Sequence, residues 1–171
     1  LSLEQGFGVS SRMLSYIVNT QSLAMVIIGL FITPLSRRYK DIVLLFAGTG
    51  AGVLSLVLYA AAWTLPLVFL SSFLCGISMV VIMSSSYSYA SRLIPPEQRG
   101  RQFAWYNATF FLSWGVAGTL VTGPIVDILI RAGTAEVLAY RMSFLASALI
   151  VAIGATILHF ADRQKRRFFS H

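Results

Sequence analysis

Charge is what this sequence has least of. Only 11% of its 171 residues are Asp, Glu, Lys or Arg, against roughly 25% in a soluble domain that must wet its surface. Residues 42–91 and 102–126 carry none. A water-exposed surface of ordinary size is therefore excluded. Histidine is nearly as scarce: His159 and His171 stand near the C-terminal end, so no Ser-His or His-Glu pair can form midway along the apolar runs and no catalytic residue is expected. With Cys75 as the single cysteine, neither a disulfide framework nor a cysteine metal site can be built from this chain. Cys75 reads as a small packing residue, and neither cofactor nor metal is expected. The chain also lacks an initial Met and the basic start of a signal peptide. Leu1 is accordingly read as an internal residue of a longer protein.

What the chain has is hydrophobic sequence, 57% of the residues, in runs long enough to cross a bilayer at about 20 residues each. The fold class expected is all-α integral membrane, in one domain, with spans at about 13–35, 42–62, 67–91, 102–130 and 139–161. Residues 1–12 read as the end of a preceding helix and an outer loop, and 162–171 as a basic tail. Thr33-Pro34 closes the first span. Trp63-Thr64-Leu65-Pro66 divides residues 42–91, which are too long for one crossing, because proline disfavours a helical residue before it. Gly133-Thr134 marks the last loop.

The net charge of +7 lies in short clusters between spans rather than along one face, so nucleic acid is not an expected partner. Ten of the thirteen basic residues fall in the loop with Arg37, Arg38 and Lys40, the loop with Arg92, Arg99 and Arg101, and the tail with Arg163, Lys165, Arg166 and Arg167. Arg12, Arg131 and Arg141 fall on the other side. The cation-rich side is expected to be cytoplasmic, which puts the C-terminus in the cytoplasm of a plasma or inner membrane.

The loop Ser91-Arg92-Leu93-Ile94-Pro95-Pro96-Glu97-Gln98-Arg99-Gly100-Arg101 leads into an aromatic span with Gly115, Gly118 and Gly123-Pro124. This arrangement resembles the cytoplasmic loop and fifth helix of a six-helix half in the major facilitator superfamily of secondary transporters. The family's other signature, Gly-x-Leu-Ala-Asp-Arg-x-Gly-Arg-Arg, corresponds here to the stretch from Thr33 to Asp41. Only Leu35 and Arg38 coincide with it; Arg37 replaces the family's Asp and Lys40 its Gly. The resemblance does not carry the family's gating charge network onto that loop. It implies helices eight to twelve of a C-terminal half, lacking most of the first helix of that half, with spans one, three and four lining a cavity and spans two and five peripheral.

Polar residues agree with that division. Asn19, Gln21 and Asn107 carry amides that are costly in lipid and should face the bundle or water. In span four, Asn107, Phe111, Trp114 and Gly118 follow the spacing of one helical face, either facing substrate or packing on a neighbouring helix. In span three, Ser71, Cys75, Ser78, Ile82, Ser85 and Tyr89 form a stripe. Packing is expected for most of these, with Ser78 the cavity candidate. Gly48 and Gly52 form a GxxxG pair read as helix packing. Gly115, Gly118, Gly123 and Pro124 are candidates for bending and close approach. Arg99 and Gly100 mark the loop. Asp127 is a candidate proton site, though its place near the outer edge favours water or an ion pair with Arg131 one turn on.

The function expected from the resemblance is transport of a small solute by alternating access, driven by a gradient. The partners are the lipid bilayer, the N-terminal half of the same protein, a small-molecule substrate and, in a coupled transporter, a proton or other ion. A polytopic membrane enzyme and a non-transporting scaffold subunit are the alternatives. The enzyme lacks matched catalytic groups in this chain, and transport assays in vesicles separate all three.

Overall fold

The computed structural model describes residues 10–168. Residues 1–9, most of the expected helix end and outer loop over 1–12, and the last three residues of the tail lie outside the described residues. Helix α1 spans Ser11–Arg38, α2 Asp41–Ala61 and α3 Leu65–Leu93. A single 3-10 turn, Pro96–Gln98, leads into α4, Arg99–Val116. A π-helical segment, Ala117–Thr122, then joins α4 to α5, Gly123–Arg131, and α6 covers Glu136–Phe168. Of these, α1, α2, α3 and α6 are long and apolar enough to cross a membrane. The fourth expected span is not one α-helix. Its path is helical from Arg99 to Arg131, but α-geometry stops at Val116 and resumes at Gly123.

Local chemistry explains most boundaries. Ser10 caps α1, its hydroxyl accepting from the Met13 amide at 3.4 Å. The first span does not end at Thr33-Pro34; α1 runs through Pro34 to Arg38. Proline removes a single backbone donor, and so near the helix end the following turn still closes. The Ser36 hydroxyl donates to the Thr33 carbonyl at 2.9 Å, and the Tyr39 amide to Leu35 at 2.9 Å. Arg37 and Arg38 complement the negative end of the dipole. Between α2 and α3 the break falls at residues 62–64, with Pro66 in the first turn of α3, where its missing N–H has no helical partner to lose.

Helix α3 is the hub, and three of its faces have different neighbours. Toward α2, Ser71 and Ser55 exchange hydrogen bonds, each hydroxyl donating to the other's carbonyl, at 2.6 and 2.8 Å. Farther along, Gly52 meets Ser78, and Gly48 meets Val81 and Ile82, so the glycine pair lets the two backbones approach closely. Toward α1, the Ser72 hydroxyl donates to the Ile17 carbonyl at 2.7 Å, and Gly76 lies against the Gln21 carbonyl. Gln21 itself donates its amide to the Met79 sulfur at 3.7 Å. Ile17, Ala62 and Val68 form a small core where α1, α2 and α3 meet. The third face of α3 looks toward α4.

Helix α6 packs antiparallel along α2, with Tyr59 stacked on Phe144 at 5.3 Å and Phe46 edge-on to His159 at 5.7 Å. The Arg141 guanidinium donates to the Ala62 carbonyl at 2.7 Å, at the C-terminal end of α2. This brings Arg141 and Trp63 to one end of the bundle, and Asp41, Arg92 and Asp162 to the other.

Candidate functional site

Two ladders of residues at helical spacing face one another across the gap between α3 and α4. Val80, Met83, Ser84 and Tyr87 come from α3; Tyr106, Asn107, Phe110 and Phe111 come from α4. They enclose a groove of about 430 Å³, within the range of small-molecule sites. The two helices are held together at the inner end of the groove by aromatic contacts. Tyr87 stacks on Phe103 at 4.5 Å and meets Tyr106 edge-on at 6.2 Å. The Tyr106 and Ser86 hydroxyls share a 2.6 Å hydrogen bond. Beyond this clasp, α4 diverges and leaves Phe111 69% exposed. The groove opens on the side that this chain does not cover.

Arg99 and Gly100, at the first turn of α4, line a second hollow of about 400 Å³ with Tyr87, Ser91 and Phe103. It continues the groove toward the arginine-rich end, so Tyr87 belongs to both.

A third feature at that end joins three helices. Asp41, the first residue of α2, is 3% exposed and lies 3.0 Å from Nε of Arg92 on α3. The approach satisfies an ion pair, yet neither carboxylate oxygen accepts an aligned hydrogen bond. The contact is therefore one of charge, not of direction. Beside it, the Tyr89 hydroxyl donates to Asp162 of α6 at 3.3 Å. Lys40, Asp41, Tyr89, Arg92 and Asp162 surround a hollow of about 320 Å³.

The residues singled out from sequence divide accordingly. Asn107 and Phe111 line the groove. Ser78 does not: it is buried against Gly52 of α2, because the serine stripe to which it belongs is the α2 contact surface. Asn19 is exposed on α1, turned away from the α3 contact made by Ile17 and Gln21, and shares no pocket with Asn107. The side chains of Trp114, Gly115 and Gly118 lie outside the described residues. The backbone of Trp114 and Gly115 belongs to the end of α4, and that of Gly118 to the π segment. A π-helix holds more residues per turn than an α-helix, so Gly118 does not keep the α-helical register of Asn107 and Phe111. Gly123 and Pro124 open α5 directly after that segment. Asp127 is exposed on α5. Among the described residues it forms no ion pair with Arg131.

Sequence reasoning missed the α3 wall of the groove and the Asp41–Arg92 pair. Tyr106 joins α4 to α3 through its hydrogen bond with Ser86. The signal for the wall was present as the spacing of residues 80, 83, 84 and 87, set beside a stronger stripe of hydroxyls.

No curated protein and no solved structure matches the chain. The sequence model of one family does, over residues 1–170, an extent that takes in every helix described above. Its members are multi-pass membrane proteins that move small solutes, and long apolar helices with a groove left open on one side suit that task. The chain belongs to the Major Facilitator Superfamily.

Proposed function

We propose that these helices form most of the C-terminal half of a gradient-driven transporter that works by alternating access, with the α3–α4 groove as one wall of its solute pathway. In this reading the arginine-rich end, including the C-terminal tail, faces the cytoplasm. An N-terminal half of the same protein covers the open side of the groove, and the two halves rock about a site near the bilayer midplane. Asp127, exposed near the outer end, is a weak candidate to carry a coupled proton.

One observation carries this reading. The helix that supplies Asn107 and Phe111 departs from α-geometry immediately beyond them, at Ala117–Thr122. Such π segments loosen the regular ladder of hydrogen bonds and recur at functional sites. Gly123 and Pro124 follow at once and remove both a side chain and a backbone donor. The wall of the groove thus ends in a segment built to change its direction.

The test is a cysteine at Phe111 in the full-length protein, in a Cys75→Ser background, reconstituted in vesicles. Alternating access requires an impermeant thiol reagent to reach Phe111→Cys from each side of the membrane in turn, with a gradient shifting the balance. Reaction from one side only, under every gradient, would refute it.

A further inference from the structure

From the lining of the α3–α4 groove we infer that it takes an uncharged, ring-bearing solute with a single hydrogen-bonding edge, such as an aromatic amide. This deepens the proposed transport function and rests on α4 being a wall of the solute pathway.

Three features of the groove select that class. Four of its eight lining residues are aromatic: Tyr87, Tyr106, Phe110 and Phe111. Rings of this kind hold another ring by offset or edge-to-face stacking. None of the lining residues carries a formal charge at neutral pH. A bare carboxylate or ammonium seated on this wall would lose hydration there with no countercharge from the wall to replace it, a cost that neutral solutes avoid. The polar groups are few. The Tyr106 hydroxyl is engaged by Ser86, which leaves Ser84, Asn107 and the Tyr87 hydroxyl. A sugar brings more hydroxyls than this wall can satisfy, and each one left against it without a partner opposes binding.

The position of the polar groups sets the geometry. Ser84 lies eight residues before Arg92, and Asn107 eight residues after Arg99. At about 1.5 Å per residue both stand roughly 12 Å in from the arginine end, at one depth on facing helices. Among the described residues neither side chain has a hydrogen-bond partner. Asn107 offers a donor and an acceptor in one plane, matched to a primary amide or a lactam edge, and Phe110 and Phe111 flank it on the same helix, with their rings edge-to-face at 5.7 Å. A flat molecule of one or two rings, its polar edge on Asn107 and Ser84, fits a groove of about 430 Å³.

The test uses benzamide as probe on the full-length protein in phosphatidylcholine vesicles, with glucose, benzoate and benzylammonium as competitors. Saturable benzamide binding is expected that none of the three displaces. Asn107→Ala and Phe110→Ala should each weaken it about 3- to 10-fold, and Asn107→Gln should restore part of the loss, which a merely structural role would not require. Stronger binding of glucose or of either ion overturns the inference. So does benzamide binding indifferent to both substitutions, or displacement of benzamide by lysophosphatidylcholine alone, which would make the groove a lipid seat. Thiol labelling of Phe111→Cys in the same vesicles separates the two levels. Labelling from both sides without protection by benzamide leaves the transport reading standing and removes this one; labelling from neither side removes both.

Discussion

Asp41 is buried to 3% exposure while its partner Arg92, 3.0 Å away, keeps 68% of its side chain uncovered. The pair is lopsided: the carboxylate depends on the guanidinium, and the guanidinium has water as an alternative. Removing Arg92 therefore leaves a buried charge without compensation, whereas removing the charge of Asp41 does not strand Arg92. Arg92→Ala is expected to destabilise the protein by about 1–3 kcal/mol, below the roughly 3–5 kcal/mol of a fully buried pair because solvent screens the exposed partner. Adding Asp41→Asn to Arg92→Ala should recover much of that loss. Thermal unfolding in detergent of the two single variants and the double variant reads the coupling, and strictly additive losses would show that the contact carries no energy of its own.

Gly76 and Gly50 make a matched pair for the helix contacts. A Cβ at Gly76 would fall on the Gln21 carbonyl and 2.9 Å from the Ala24 side chain, where backbone cannot yield cheaply, while one at Gly50 meets nothing within 4 Å. Gly76→Ala should force α1 away from α3 and cost about 1–3 kcal/mol. Gly50→Ala should be neutral or stabilise by up to about 1 kcal/mol, since alanine favours the helix. The same unfolding measurement checks both, and equal effects would mean that the α1–α3 crossing is not as close as described.

Much of this architecture was legible in the sequence because its signals are local. The break before α3 follows from proline, and Gly48 and Gly52 read as a helix-packing pair, although the sequence did not name α3 as its partner. Other features were not local. Asp41 and Arg92 lie on different helices, and nothing in either neighbourhood names the other. Membrane helices are apolar on every face, so hydrophobic periodicity does not say which face meets a partner. The stripe 80, 83, 84, 87 therefore stayed hidden beside the serines, and Ser78, the expected cavity candidate, lies buried against Gly52. Pro34 misled because a helix can continue through a proline at the loss of one backbone hydrogen bond, and here Ser36 and Tyr39 close the turn that follows. Gly115, Gly118, Gly123 and Pro124 marked this stretch as able to bend, but nothing in the sequence specified π rather than kinked α geometry.

Orientation is open to direct measurement through introduced cysteines. In the full-length protein freed of all its cysteines, Cys75 included, new thiols are placed at Trp63, which is 73% exposed in the turn between α2 and α3, and at Arg101, exposed in the first turn of α4. The proposed orientation, argued from the charge distribution, predicts opposite sides of the membrane for them. Trp63→Cys is expected to react with an impermeant reagent added outside intact cells, and Arg101→Cys only after the membrane is opened. Equal reactivity in intact cells would reverse the assignment of the cytoplasmic face.

The π segment makes the last prediction, because its length is what separates it from an α-helix. Each π turn holds more residues than an α turn, so removing one residue allows the ladder to close in α-register. Leu120, 69% exposed, is the residue whose loss disturbs least packing. In the parent protein, amides 117–122 should exchange hydrogen faster than those of α4 and α5 on either side, since their hydrogen bonds are less well aligned. Deleting Leu120 should slow that exchange to the rate of its neighbours and leave the thermal midpoint unchanged or higher. It leaves α5, and with it Asp127 and Arg131, at nearly the same angle to Asn107, because the wider π turn takes up the extra residue that the deletion removes. Solute binding should survive, because the groove lies before the deletion, while transport should fall sharply if the bend is needed for the change of access. Transport at the parent rate from a straightened helix would show that the departure from α-geometry has no part in the cycle.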